Sequence, residues 1–511
     1  MRTGMDADAE ARCTDPIGSN CRVRIAARMK AAASTGSGQA ASNPGSNPPS
    51  RADRDERFLR CMPFFLRVPA RWFHASAVGH RLAWGALWIL GAAGLSRAFW
   101  LLTSIATARL LGAEPFGELG ILQSTVGVFS VFAGLRLGLT ATGPVAELVV
   151  TDPERARGLV VLSARVSVCL GLVLALGLLL FARPLAVHAL DAPHLEETLR
   201  IGALLILLGA VNGAQTRALA GFEAFKTIAR INFRTGLASC VLMMLGVLLA
   251  GLPGAVWSLA VGLFVNCLLN HLALRAEAGR AGVPLHWTGG GADWRSVCGF
   301  TLPAVFCGII ILPVSWAALT LLVHQSEGYQ EMGIVNAASQ WCAAILFVPQ
   351  ALVGMLLPTL ANLKRPGQQV EYARVLWSNV ALIGGIALGI ALLVVAGSAW
   401  IMDSYGDAFV SGRATLTLLS VAAVVMSVNH VLDADVVSQR RMWAGLACNA
   451  LWAATFLALA RWLVPVLGAS GLAWSILISA LVRTICLLSL NLRRTPPLAV
   501  CEPEPNPVAG P

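Results

Sequence analysis

The sequence predicts an all-α integral membrane protein with about twelve transmembrane helices in two six-helix bundles. Of its 511 residues, 56% are hydrophobic and 13% are charged, whereas about 25% of a soluble chain is charged. A dozen apolar stretches approach the ~20 residues that cross a bilayer, and a motif of the first half returns in the second. These observations exclude a secreted disulfide scaffold, a disordered regulator and an ordinary cytosolic enzyme.

The N-terminal region precedes the apolar stretches. Residues 1–55 are rich in Ala, Ser, Gly, Pro and Asn and are predicted to be a disordered tail. They contain no apolar segment followed by a cleavage site, so we do not expect a signal peptide. Met62 is an alternative start, which leaves open whether residues 1–61 are translated. Residues 56–83 mix aromatic residues with arginines and form a basic juxtamembrane segment, which could anchor at the cytoplasmic leaflet.

The apolar stretches divide into two equal groups. They cover roughly residues 85–108, 116–139, 158–182, 200–220, 230–250, 254–274, 299–323, 332–357, 375–398, 414–436, 442–464 and 468–491. We therefore predict an N-terminal six-helix bundle over residues 84–275 and a C-terminal one over residues 299–491. A Gly-rich cytoplasmic linker, 276–298, separates them, and a disordered tail follows over 492–511.

The basic residues predict the orientation. With the N-terminus inside, the cytoplasmic loops after the first span and the C-terminal tail hold sixteen Lys and Arg residues, and the opposite loops hold five. This bias predicts cytoplasmic termini, and it accounts for the net charge of +11 without a nucleic-acid partner. The far-side loops are all short, which disfavours an enzyme that polymerises or ligates sugars.

An internal repeat relates the halves. Residues 114–123 and 327–336 both match E-x-[FY]-x-E-[LM]-G-I-[LV]-[QN], at an offset of 213, and each opens the second helix of its half. Asn212 and Asn232 align with Asn429 and Asn449 at an offset of 217. Two halves of equal topology predict an axis along the membrane normal and a substrate site at their interface.

At these residues the sequence resembles the oligosaccharide flippase family, the Wzx-type transporters of the MOP superfamily. The first half carries the likeness in Ala106-Thr-Ala-Arg-Leu-Leu-Gly112, Pro115-Phe-Gly, Thr140-Ala-Thr142, Ala146-Glu147-Leu148 and Asp152-Pro-Glu-Arg155. The second half carries it in Pro313-Val-Ser-Trp316, residues 328–341, Phe347-Val-Pro349 and Pro358. The likeness covers residues 84–492, but Gly143 and Pro144 stand where such sequences usually place a basic residue.

The resemblance implies a MOP/MATE-like fold and a multi-pass protein of the bacterial inner membrane. It further implies translocation of an undecaprenyl-diphosphate-linked oligosaccharide by alternating access, driven by an ion gradient without ATP. The glycan would feed exopolysaccharide, capsule or lipopolysaccharide O-antigen assembly. The implied partners are the lipid-linked oligosaccharide, membrane lipids and the polymerase or glycosyltransferases of the same pathway.

Intramembrane polar residues are the candidates for substrate binding, because a charge there is costly unless it is paired or hydrated. Arg97 lies mid-span and suits a diphosphate; the alternative is an ion pair or a hydrogen bond to a carbonyl on another helix. Arg136, Arg165 and Arg483 are further candidates, although the first two could snorkel to the surface. We add three uncharged candidates, whose alternative role is helix packing: Gln123, Asn336 and Trp316.

Acidic residues and prolines supply the candidates for coupling and gating. Asp433 and Asp435, beside Asn429 and His430, could take up a proton or sodium; the alternative is that both carboxylates face cytoplasmic water. Three prolines break backbone hydrogen bonds in the seventh and eighth spans, where the bundles could bend: Pro303, Pro313 and Pro349.

Two other classes of function remain open. A MATE-type drug or cation antiporter would carry acidic residues in the first bundle, whose embedded charges are instead arginines. A glycan polymerase or a non-transporting membrane subunit is the other alternative. We expect no enzyme and no cofactor, because the chain has no complete P-loop, no CxxC pair and no H-E-x-x-H motif.

Overall fold

The computed structural model describes residues 77–133, 153–222, 224–280, 310–362, 369–439 and 441–492. Within these ranges all regular secondary structure is helical. The predicted tail 1–55, most of the juxtamembrane segment and of the linker, and residues 493–511 lie outside the described residues, as do Arg136 and Pro303.

The described part of the first half, residues 77–133, 153–222 and 224–280, contains five long helices and two short turns. The helices are α1 (Ala77–Leu111), α2 (Ala113–Ala133), α3 (Pro153–Pro184), α4 (Glu196–Gly221) and α5 (Phe225–Arg280). A π-helical turn, Leu185–Ala189, and a 3-10 turn, Pro193–Leu195, connect α3 to α4. Gly112 separates α1 from α2 with a φ of 84°, a conformation that glycine adopts without a steric penalty.

The second half repeats this plan. Its helices are α6 (Ile311–Val323), α7 (Gly328–Asn362), α8 (Gln369–Ala396), the short α9 (Ser398–Tyr405), α10 (Arg413–Ser438) and α11 (Met442–Leu492). A 3-10 turn, Asp407–Gly412, joins α9 to α10. The repeat motif opens α2 and α7, as the sequence predicts.

The two longest helices are antiparallel hairpins. In α5, Gly251 interrupts the helix with φ 59° and ψ −131°, and in α11 Gly468 does so with φ 56° and ψ −130°. Glycine favours such positive φ values, and the two glycines lie 217 residues apart, the offset of the repeat. Beyond each turn the chain packs back on itself: Ser258 Oγ donates to the Leu242 carbonyl at 2.7 Å.

The membrane-spanning character is clear from length and apolarity. Seven described stretches qualify as spans, and both hairpins are among them. With each hairpin counted as two arms, the described helices provide a segment for each of the twelve predicted spans. The predicted spans 230–250 and 254–274 are the arms of α5, and 442–464 and 468–491 are the arms of α11.

The halves meet where α2 crosses α7, at the two copies of the repeat motif. A Cβ atom at Gly117 would lie 1.9 Å from the Tyr329 carbonyl oxygen, and one at Gly333 would lie 2.2 Å from the Ala113 carbonyl oxygen. The two backbones are therefore in direct contact, which only glycine permits at these positions. The buried apolar core continues from this crossing into both halves, with Ile121 and Ile345 fully buried.

Candidate functional site between the two halves

Arg97 lies on α1 against α7 of the other half. Its Nη2 donates to the Gln340 carbonyl oxygen at 3.1 Å, while its Nε is buried without a hydrogen-bond partner. Trp100, one turn further along α1, donates from Nε1 to Gln340 Oε1 at 2.8 Å. The alternative role predicted for Arg97, a hydrogen bond to a carbonyl on another helix, is therefore present in the structure. The Nε–H group of Arg97 still has no acceptor.

Two other predicted residues also reach across to α2. Trp316 Nε1 donates to Thr125 Oγ1 at 2.9 Å, and Asn336 Nδ2 donates to the Phe116 carbonyl at 3.2 Å. Gln123 lies partly exposed on the same helix, α2. The fold therefore brings Arg97, Trp316 and Asn336 to one interface, although their sequence positions span two halves.

A closure of aromatic and polar contacts joins the halves at the end of the molecule that contains Gly112, which we call the Gly112 end. The rings of Phe116, Tyr405 and Phe409 pack together, with Phe116 and Phe409 centroids 6.1 Å apart. Tyr405 and Phe409 are each only 1% exposed. Arg109 Nη2 donates to the Asp403 carbonyl at 3.4 Å. This cluster holds α2 against the α9 region.

Tyr329 adds a further contact at the Gly112 end. Its hydroxyl donates to the Leu190 carbonyl at 2.5 Å, which links α7 to the turn after α3. This closure is not among the predictions from the sequence. One signal was available, since the chain has only three tyrosines and two of them, Tyr329 and Tyr405, lie here.

In the second half, two residues that were predicted to have separate roles form one ion pair. Arg483 Nη2 donates to both carboxylate oxygens of Asp433, at 3.0 and 3.1 Å, and to Asn449 Oδ1 at 2.7 Å. Nearby, Thr484 Oγ1 donates to Asn429 Oδ1 at 2.8 Å. The pair connects α10 to both arms of α11.

Asp435 occupies a different environment from Asp433. Its side chain is buried, with the residue 1% exposed, so the alternative in which it faces water does not hold. Its Oδ1 accepts hydrogen bonds from the Tyr372 hydroxyl and from Gln439 Nε2. Its Oδ2 and the Nε2 of His430 are both buried without a partner. A carboxylate and an imidazole with unused atoms therefore lie within α10.

The first half contains an uncharged group of hydrogen-bonded side chains at the position equivalent to the Asp433–Arg483 pair. We call each of these two groups of side chains a node. Asn270 Nδ2 donates to Asn212 Oδ1 at 2.7 Å and to Asn266 Oδ1 at 2.6 Å, and Asn266 Nδ2 donates to Thr235 Oγ1 at 3.2 Å. Asn270 also contacts Thr216. At the offset of 217, Asn266 corresponds to Arg483 and Thr216 corresponds to Asp433. The same position thus carries amides and hydroxyls in one half and an ion pair in the other.

The remaining predicted residues are scattered. Arg165 lies on α3 and is exposed. Pro313 lies in the first turn of α6, where a proline sacrifices no helical hydrogen bond. Pro349 lies inside α7, and its capacity to act as a gate stays a prediction.

The chain is similar to curated polysaccharide export proteins. It is 27% identical over 382 residues to the EPS I polysaccharide export inner membrane protein EpsE of Ralstonia nicotianae, covering 73% of this chain and 84% of that protein. It is 26% identical over 352 residues to the succinoglycan biosynthesis transport protein ExoT of Rhizobium meliloti, covering 64% of each.

The fold is also that of solved transporters. An inward-facing multidrug resistance MATE transporter of the MOP superfamily superposes with a TM-score of 0.63 at 14% identity, over 78% of this chain and 94% of that one. The lipid II flippase MurJ, in an inward closed conformation, superposes with a TM-score of 0.63 at 11% identity, over 80% of this chain and 87% of that one. At such identities the likeness shows the fold alone.

A family model decides the relationship. The model described as "Polysaccharide biosynthesis protein" matches residues 106–376, a region that includes both copies of the repeat motif, Trp316 and the crossing of α2 and α7. The chain is a multi-pass membrane protein with the all-α MOP transporter fold, and it belongs to the polysaccharide biosynthesis protein family.

Proposed function

We propose that this protein moves an undecaprenyl-diphosphate-linked oligosaccharide across the bacterial inner membrane by alternating access. The observation that carries the proposal is Arg97, a cation between the two halves whose Nε is buried without a partner. A buried N–H without an acceptor costs about 1–3 kcal/mol. A phosphate oxygen would satisfy it, because guanidinium groups bind phosphates through paired donors.

The uncharged residues of the interface fit a sugar. Trp100, Trp316, Gln340 and Asn336 present indole rings and amides, the groups that stack on and hydrogen-bond to sugar rings. Their present bonds, Trp316 to Thr125 and Asn336 to the Phe116 carbonyl, hold the halves together. Substrate hydroxyls could replace these bonds as the halves separate, so that the same groups serve first as contacts and then as ligands.

The contacts at the Gly112 end correspond to one state of the transport cycle, in which the two halves are closed against each other at this end. By the positive-inside rule this end faces away from the cytoplasm, so the closure of Phe116, Tyr405 and Phe409 would seal the outer side. Release of the glycan outward then requires these rings and the Gly117–Gly333 crossing to separate. The contacts are apolar or involve few hydrogen bonds, which suits an interface that opens and closes.

Ion coupling would depend on α10. Protonation of Asp433 would remove the charge that faces Arg483, and Asp435 has one oxygen available for a proton or a sodium ion. Either event would change the contacts between α10 and its neighbours, α8 and α11. We assign coupling to this helix because the equivalent node of the first half contains only neutral groups.

The test is complementation of a bacterium that lacks its own lipid-linked oligosaccharide flippase. We compare, at matched membrane levels, wild type with Arg97→Ala, Arg97→Lys and the control Arg461→Ala. Arg461 serves as the control because it is exposed on α11. We expect wild type and the control to restore surface glycan. We expect Arg97→Ala to lower it by at least about tenfold, in line with the ~1.5–3 kcal/mol of a charge-assisted hydrogen bond, with partial recovery in Arg97→Lys.

The lipid-linked precursor distinguishes transport from synthesis. Accumulation of the precursor in the inner leaflet of the Arg97→Ala strain supports the proposal. Normal export by Arg97→Ala would remove arginine from the mechanism. Drug or cation efflux by wild type, without export of any of several glycan types, would favour the antiporter instead.

A further inference from the structure

A second polar site lies inside the first half, between the two arms of α5. It is a cavity of about 230 Å³ near the ends of both arms, remote in sequence from the turn at Gly251. Its charged lining consists of Arg230, Arg234, Arg280 and Glu277. The three guanidinium groups outnumber the one carboxylate, so the cavity has a positive charge.

The internal bonds of the cavity leave part of this charge uncompensated. Glu277 accepts from Arg280 Nη1 and from Thr227 Oγ1, each at 3.1 Å. The bonds of Arg230 go to neutral oxygens instead, the Lys226 carbonyl and the Thr227 hydroxyl, both at 3.4 Å. Arg234 is one turn further along the same face and is exposed. One carboxylate is therefore held by one arginine, while two arginines face the cavity beside it.

Apolar residues complete the lining of the cavity on both arms. Ile231 and Leu269 line it, with two alanines of the second arm. A cavity that combines guanidinium groups with aliphatic side chains fits an anionic head attached to a hydrocarbon chain. Basic pockets between transmembrane helices on the cytoplasmic side bind such lipid head groups, and guanidinium groups match phosphate oxygens.

We propose that this cavity binds the phosphate group of an anionic bilayer phospholipid, such as phosphatidylglycerol. The site lies within one half, between arms that are joined by a tight turn, whereas Arg97 lies between the halves and contacts α7. A bound lipid would therefore link the arms of α5 to each other and remain in place as the halves separate. This role is additional to the movement of the glycan.

The experiment measures lipid retention by the full-length chain in detergent, by native mass spectrometry with phosphatidylglycerol or phosphatidylcholine added. We compare wild type, Arg230→Gln/Arg234→Gln and the control Arg413→Gln/Arg461→Gln, which removes the same charge from exposed positions of the other half. We expect wild type and control to retain phosphatidylglycerol over phosphatidylcholine. We expect the cavity variant to lose about fivefold in affinity per arginine, or roughly 10- to 30-fold together.

Glu277→Gln separates a binding role from a structural one. If the arginines serve only to hold the arms together, this variant weakens the same network and should lower retention. If they bind phosphate, removing the carboxylate should leave retention unchanged or raise it. Equal retention of both lipids by wild type, or equal loss in the cavity variant and the control, would overturn the proposal.

Farnesyl diphosphate tests the alternative source of phosphate. We expect an equimolar amount to leave phosphatidylglycerol bound. Displacement that depends on Arg230 and Arg234 would assign the cavity to the diphosphate of an isoprenoid-linked substrate and would contradict a bilayer-lipid site. Equal displacement by inorganic phosphate would show that any phosphate binds there, which would also contradict it.

Discussion

The pair of Asp433 and Arg483 shows how one position can carry different chemistry in two related halves. Asp433 has a 31% exposed side chain and Arg483 a 15% exposed one, so both charges are partly removed from water. In the first half the equivalents are Thr216 and Asn266. There Thr216 and Asn266 each accept a hydrogen bond from Asn270, so neutral side chains connect the helices where the second half uses an ion pair.

This comparison leads to a prediction for the pair. Asp433→Thr alone should destabilise the protein by about 2 kcal/mol, because it leaves Arg483 partly buried without a counter-ion; a fully buried pair would lose about 3–5 kcal/mol. Asp433→Thr/Arg483→Asn, which introduces the equivalent residues of the first half and leaves no charge unpaired, should recover most of that loss. The measurement is thermal unfolding in detergent, with export assayed in parallel.

The two readouts distinguish the roles of the pair. Recovered stability without export would support coupling by the charges. Recovered stability with normal export would make the pair purely structural, and a double variant less stable than the single one would show that the halves are not interchangeable here.

The hairpins α5 and α11 explain why the sequence predicts separate spans. The apolar stretches are interrupted near Gly251 and Gly468, and hydropathy alone cannot distinguish a tight turn from a short loop. The offset of 217, which also relates Asn212 to Asn429, was the available sign that both turns share one conformation. The partners across the arms were not predictable, because they depend on how the arms pack.

The turn glycines give a second prediction. Gly251→Ala and Gly468→Ala should each cost roughly 1–3 kcal/mol, since a side chain strains the backbone at these φ and ψ values. Gly385→Ala is the control, because Gly385 is exposed within α8 and a Cβ there meets no atom within 4 Å. Chemical or thermal unfolding measures the difference, and equal stability of all three variants would contradict the turn conformation.

The sequence predicts two related halves, and the structure shows where they touch. The repeat motif marked the beginning of α2 and α7, but not that its glycines meet. Likewise Arg97 was predicted as a candidate, whereas its partner Gln340 lies 243 residues away in the chain and no local pattern connects them. Long-range pairing of this kind follows from the fold, not from spacing.

The crossing of α2 and α7 gives a third prediction. Gly333→Ala should separate the halves at the Gly112 end, because the added Cβ would meet the Ala113 carbonyl oxygen, and overpacking costs about 1–3 kcal/mol. In a background where Cys342 is the sole cysteine, labelling of this residue by an impermeant maleimide from outside should rise several-fold, and export should fall. The control is Gly354→Ala, also in α7, where an added Cβ meets no atom within 4 Å; it should change neither the labelling nor the export. Unchanged labelling of Cys342 in Gly333→Ala would contradict a seal at this crossing.

The hairpins restrict how these two halves could diverge. Asn449 and Arg483 are 34 residues apart, and so are their equivalents Asn232 and Asn266. One residue inserted in an arm, between this node and the turn, would rotate the remainder by about 100° and advance it by ~1.5 Å, so the partners would no longer meet. After an ancestral duplication, such hairpins could exchange amides for a pair of opposite charges but could not gain or lose single residues within their arms.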